Sequence, residues 1–168
     1  LDPNDALVWY NKGVALHELG KHEESIKCYD KALELDPRRV HALGGKGAAL
    51  ANLGKYEEAI KCFDKVIELD PNNARAWTNK GNAFGKLGKP EEAIGCFDKT
   101  IELDPKKASA WINKGIALTS LSRPEESIEC FDKAIELDPK KAFLGYGSKG
   151  IALYELGRPE EAIECFDK

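Results

Sequence analysis

No apolar run of about 18 residues occurs in this chain, which excludes a membrane-spanning helix. The opening LDPNDALVWY lacks a basic segment leading into an apolar one, so it does not read as a signal peptide. Methionine is missing altogether, the first position included, and the last residues stop inside a periodic pattern. Both ends therefore read as cuts through a longer protein. Clustered charge is missing too: residues 1–84 hold 12 Lys and Arg against 13 Asp and Glu, and residues 85–168 hold 13 against 16. Phosphate backbones are bound by grouped cations, so this even mixture, net −4, argues against nucleic acid. What remains is the composition of a globular chain, 42% hydrophobic and 32% charged, with a cytoplasmic location expected.

What the chain does contain is a repeat. Written from each Leu-Asp-Pro, residues 1–34, 35–68, 69–102 and 103–136 are four units of equal length. A fifth, from Leu137, carries one added residue between Pro139 and Gly150 and lacks its end. Each unit holds two amphipathic stretches at helical spacing, such as Leu43, Gly47, Leu50 and then Ala59, Ile60, Phe63, Val66. Gly20, Gly54, Gly88 and Gly157 stand where the first helix must stop, a left-handed place that suits glycine, and Ser122 takes it once. Pro90, Pro124 and Pro159 follow at the first turn of the next helix, where no N–H is needed. Paired glutamates, Glu57–Glu58 among them, suit a helix N-terminus. The Asp-Pro pairs at 36–37, 70–71, 104–105 and 138–139 end the second helix, because proline disfavours the α conformation just before it. About ten helices and an all-α chain are expected.

The unit resembles the tetratricopeptide repeat. Its aromatic or large place holds Trp9, Leu43, Trp77, Trp111 and Tyr146, and its glycine place Gly13, Gly47, Gly81, Gly115 and Gly150. A small residue (Ser25, Ala59, Ala93, Ser127, Ala162), an aromatic (Tyr29, Phe63, Phe97, Phe131, Phe166) and a closing Pro37, Pro71, Pro105 or Pro139 follow. The resemblance covers essentially the whole chain. It implies a single domain, an α-solenoid winding as a right-handed superhelix of tandem antiparallel helix pairs, with motifs at 6–39, 40–73, 74–107, 108–141 and 142–168. One departure is systematic. The place before the glycine, often Leu in the family, is Lys12, Lys46, Lys80, Lys114 and Lys149, whose stems are expected to pack while the ammonium reaches solvent.

Residues that suggest chemistry dissolve into the repeat. Cys28, Cys62, Cys96, Cys130 and Cys165 occupy one place per unit, too far apart for disulfides or zinc, and read as core or interface residues in a reducing compartment. His17 and His22 have one residue too many between them for a zinc-protease pair, with Gly20 ending the helix. No catalytic residue, cofactor or metal site is expected, and the chain does not read as an enzyme.

Binding is expected to lie where the repeats differ. The resemblance implies that first helices line a concave groove, placing Leu7, Tyr10, Val14 and His17 there, then His41 and Asn52. Arg75, Thr78, Asn79, Asn82 and Lys86 follow, then Ile112, Asn113, Ile116 and Thr119, and finally Ile151 and Tyr154. That mixture suits a peptide or helix of a protein partner. The family's clamp for chaperone C-termini is broken here, with Thr78 in place of a lysine. Two alternatives stay open: a module that self-associates into a homo-oligomer through Ile163 and Phe166, and a regulatory region of a larger enzyme.

Overall fold

The computed structural model describes residues 5–139 and 142–168, and among them the chain forms ten α-helices. They fall into two compact units, residues 1–87 and 88–168. Unit 1 holds α1 (Ala6–Glu18), α2 (His22–Leu35), α3 (Val40–Asn52), α4 (Tyr56–Leu69) and α5 (Ala74–Lys86). Unit 2 holds α6 (Pro90–Leu103), α7 (Ala108–Ser120), α8 (Pro124–Leu137), α9 (Ala142–Glu155) and α10 (Pro159–Phe166). Within each unit every helix packs on its chain neighbours, and first helices also touch first helices: α1 with α3, α3 with α5, α7 with α9.

The punctuation acts as the sequence implies. Gly20, Gly54, Gly88 and Gly157 have φ between 69° and 76°, and Ser122 adopts 56° in the same place. That left-handed residue lets the next N–H reach back, as Lys55 N donates to Leu50 O at 2.9 Å and Arg123 N to Leu118 O at 3.0 Å. The aspartates before proline, Asp36, Asp70, Asp104 and Asp138, leave the helix with ψ of 78–88°. Trp77 and Trp111 tie the following helix to that turn, each indole donating to a proline carbonyl, Pro71 O at 3.1 Å and Pro105 O at 3.2 Å.

Glycine and the aromatic of one motif are a matched pair. A Cβ on Gly47 would stand 2.6 Å from the Phe63 ring, and one on Gly115 2.5 Å from the Phe131 ring. Both rings are 1% exposed, so the repeat's largest buried side chains seat on bare backbone of their own first helix. Tyr29 does this twice, against Gly13 and against Gly45 of the next repeat, at 2.7 and 2.6 Å from the missing Cβ. Alanines 32, 42 and 49 complete that cluster, with Trp9, Tyr10, Val14, Ile26 and Leu33 packed on it.

The added residue of the fifth repeat lies inside α9. Gly150 is eight residues past Ala142, whereas Gly115 is seven past Ala108, and α9 has 14 residues where α7 has 13. The helix starts one residue earlier, and Gly145 falls where α7 has Ala110. A Cβ there would stand 2.7 Å from Ile135, so the register is restored from that contact onward. Lys140 and Lys141 lie outside the described residues.

Candidate partner-binding site

Recurring residues such as the glycine, the aromatic and the lysine are taken up by contacts within and between repeats. The lysine before each glycine is the clearest case, and it corrects the expectation that its ammonium is left to solvent. Lys46 pairs with Asp30 at 2.5 Å, Lys80 with Asp64 at 2.6 Å, Lys114 with Asp98 at 2.7 Å and Lys149 with Asp132 at 2.5 Å. Each aspartate belongs to the second helix of the preceding repeat. Two of these ammonium groups also stand over an indole ring, Lys80 Nζ 5.4 Å from the Trp77 centroid and Lys114 Nζ 5.9 Å from that of Trp111. These lysines form a ladder within the scaffold.

The cysteines are also structural. Cys28, Cys62, Cys96 and Cys130 are buried free thiols, while Cys165 is half-buried. Burial raises the Cys62 thiol and pushes Cys130 up to about 11, far from a reactive thiolate. Among the described residues no group of three His, Cys, Asp or Glu is placed to hold a metal, and no helix is long and apolar enough to cross a membrane.

The variable first-helix residues remain. In unit 1 they line two neighbouring clefts. The first, about 360 Å³, is bounded by Tyr10, Val14, His17 and Glu18 of α1, by His41, Gly44 and Ala48 of α3, and by Arg75 and Asn79 of α5. The second, about 400 Å³, is bounded by Ala48, Asn52, Asn79, Asn82 and Lys86. Asn79 belongs to both. Helical spacing brings Arg75, Asn79, Asn82 and Lys86 onto one side of α5 as a row of cation, amide, amide and cation. The Tyr10 and His41 rings flank the first cleft with centroids 6.2 Å apart.

His17 and His22 are brought together by the very turn that makes them look mismatched in sequence. Their rings stand 4.9 Å apart, with both Nδ1 atoms buried and without a hydrogen-bond partner. Burial first, then His22, lowers the His17 pKa below 6.5; Glu18 raises it and Arg75 lowers it further.

Unit 2 presents a different face. A cleft of about 290 Å³ is bounded by Ile112 and Ser109 of α7, Ile135 and Leu137 of α8, and Leu144 of α9, with Lys106 and Asp138 beside them. Ile116, Ile151 and Tyr154 are exposed at 49%, 53% and 68%. Phe143 and Leu144, at 66% and 52%, extend that apolar surface on α9, and Phe143 went unremarked because the added residue hid its place in the pattern.

Some expected groove residues are placed otherwise. Thr78 is buried and donates its hydroxyl to Ala74 O at 2.7 Å, so it packs and presents nothing to a partner. Thr119 is half-buried and bonds Gly115 O and the Ser127 hydroxyl, both at 3.1 Å. Leu7 is exposed but borders neither unit 1 cleft, and Asn113 is half-buried and engaged in an interaction. Ile163 and Phe166 are exposed at 59% and 54%, although Phe166 also seats on Gly150.

Comparison with known proteins bears on the family and the fold. Residues 6–39, 74–107 and 108–141 match the family described as tetratricopeptide repeat, with further such matches over 28–61, 47–88 and 145–168. Over 40 residues the chain is 45% identical to a TPR repeat-containing protein of Methanocaldococcus jannaschii, a match covering 24% of this chain and 12% of that one. The solved structure of MamA from Desulfovibrio magneticus RS-1, residue 41 to its end, is similar with a TM-score of 0.91 at 27% identity, covering 99% of this chain and 93% of that one. YrrB, described as a TPR protein with an unusual peptide-binding site, gives a TM-score of 0.80 at 25% identity over 99% and 85%. These likenesses show the fold class, an all-α solenoid of tandem helix pairs.

Proposed function

Because the chain belongs to the tetratricopeptide repeat family, we propose that it is a protein-interaction scaffold that takes a segment of a partner along its first helices. One observation carries this reading. Positions that recur, such as Gly47, Lys80 and Phe131, are consumed by contacts within and between the repeats, whereas most variable first-helix positions border open clefts. Each cleft joins apolar walls to a few polar groups, the composition that anchors a peptide or helix. The peptide-binding site named for YrrB supports the same use of a similar fold. The regular placement of cysteines and glutamates in every repeat favours a structural role for them over catalysis.

A groove-filling variant tests the reading. Gly44 borders the first unit 1 cleft and has no atom within 4 Å of where its Cβ would stand. Gly44→Arg therefore fills the cleft without straining α3. The wild-type protein is used to select from displayed random peptides of about 12 residues, an unbiased set of extended segments. Capture of the selected pool should drop at least tenfold on Gly44→Arg and stay unchanged on Lys61→Glu, which lies on exposed α4 surface. Failure to select any peptide, or equal capture by Gly44→Arg, would overturn it.

A further inference from the structure

On the scaffold reading above, the charges that border the unit 1 clefts bear on what would occupy them. Residues 1–87 carry 13 Lys and Arg and 13 Asp and Glu, so the unit has no net positive field. Its cations are sorted by place. Lys46 and Lys80 are committed to Asp30 and Asp64 in the ladder, and Lys21, Lys31, Arg39 and Lys55 to carboxylates of their own turns. Lys12, Lys27, Arg38, Lys61 and Lys65 lack an ion pair among the described residues but line neither cleft, so Arg75 and Lys86 are the unpaired cations that border the clefts. The acids are sorted the opposite way, lying mostly on second helices (Glu23, Glu24, Glu57 and Glu58 at their starts), and Glu18 is the one carboxylate bordering either cleft.

The spacing is informative as well. Arg75 and Lys86 are eleven residues apart on α5, about 16 Å at 1.5 Å per residue. An extended segment covers that distance in about five residues at 3.3 Å each. Between the two cations stand Asn79 and Asn82; the Asn79 amide offers both a donor and an acceptor to a peptide backbone, while Asn82 is engaged in an interaction of its own. Asn52 also borders the second cleft, and the open backbone at Gly44 leaves room for a chain to lie close in the first.

We infer that unit 1 binds an extended acidic segment of a partner protein, with two carboxylates about five residues apart held by Arg75 and Lys86 and the intervening backbone held by Asn79. The peptides selected above provide the test. Those sensitive to Gly44→Arg should be enriched in Asp and Glu pairs four to six residues apart. Changing both acids of a selected peptide to Asn or Gln should weaken binding tenfold or more. A second selection with the Arg75→Glu, Lys86→Glu protein should favour Lys and Arg instead. Both side chains are exposed, and thermal melting checks that the variant is folded. Peptides that are blocked by Gly44→Arg yet show no acidic bias would overturn this inference and leave the scaffold reading standing. An unchanged preference in the Arg75→Glu, Lys86→Glu protein would overturn it equally. Absence of any selected peptide would remove both.

Discussion

Where unit 1 borders its clefts with Tyr10, His41, Arg75, Asn79 and Lys86, unit 2 borders its own with Ile112, Ile135 and Leu144. Beneath those faces the two are built alike: Phe63 seats on Gly47 as Phe131 seats on Gly115, and the lysine–aspartate ladder runs through both. The difference teaches that this fold can vary the residues along its open faces over a constant interior, of which Tyr29 and Phe63 also border the unit 1 clefts. Surface changes can then alter what binds while leaving the stacking intact. The strongest way to break that view is to strike equivalent interior sites. Phe63→Ala and Phe131→Ala should each cost about 3–5 kcal/mol, the range for removing a buried aromatic. Unit-resolved hydrogen exchange would measure both costs. A twofold disparity would mean that the two interiors are not equivalent.

A second comparison lies within one helix. Gly44 and Gly47 are less than a turn apart on α3, yet Gly44 faces open space and Gly47 faces the Phe63 ring. Gly47→Ala should destabilise the protein by about 1–3 kcal/mol through overpacking. Gly44→Ala should stabilise it by about 1 kcal/mol, since alanine is the better helix former. Gly147 and Gly150 form the same pair on α9, with nothing near the first and Phe166 2.5 Å from a Cβ on the second. Urea denaturation of the four variants checks this. Like signs at Gly44 and Gly47 would show that the open face is not open.

Much of this was legible because each repeat states its rules five times. Gly20 and Gly54 marked the helix ends, and Ser122 could be placed in the same left-handed turn by position alone. The alternation of small and aromatic residues signals close packing, with the aromatic expected to fill space toward the next repeat. Instead Phe63 seats on Gly47 of its own repeat, and Tyr29 reaches both Gly13 and Gly45 of the next. The ladder was missed, although its signal was present. A lysine before each glycine and an aspartate after each aromatic are constant residues of opposite charge, 16 apart in sequence at Lys46 and Asp30. Pairing them required knowing that a second helix packs against the following first helix. Thr78 misled for a related reason: helical spacing gives a direction, but burial of that direction depends on the neighbouring helices. Contact between His17 and His22 was set by the intervening turn, which spacing rules for a single helix do not cover.

The smallest effect expected separates the units by pH. His17 is the histidine whose ordinary value of 6.5 is lowered, chiefly by burial and then by His22 facing it from α2, with Arg75 of α5 adding to the effect and Glu18 opposing it. Its folded form therefore resists a proton that the unfolded chain accepts. This contribution to stability is fully present above pH 6.5 and is lost as the pH falls below 6.5 and through the lower folded value. His17→Gln removes the difference in proton uptake. The urea midpoint of unit 1 should then fall less between pH 7.5 and 5.5 in the variant than in the wild type, while that of unit 2, whose described residues include no histidine, should respond alike in both. Hydrogen exchange of α1 and α2 against α7 and α8 at the two pH values resolves the units. Equal acid sensitivity of α1 in variant and wild type would rule out His17 as the source. An equal gain in α7 would rule out a difference confined to unit 1.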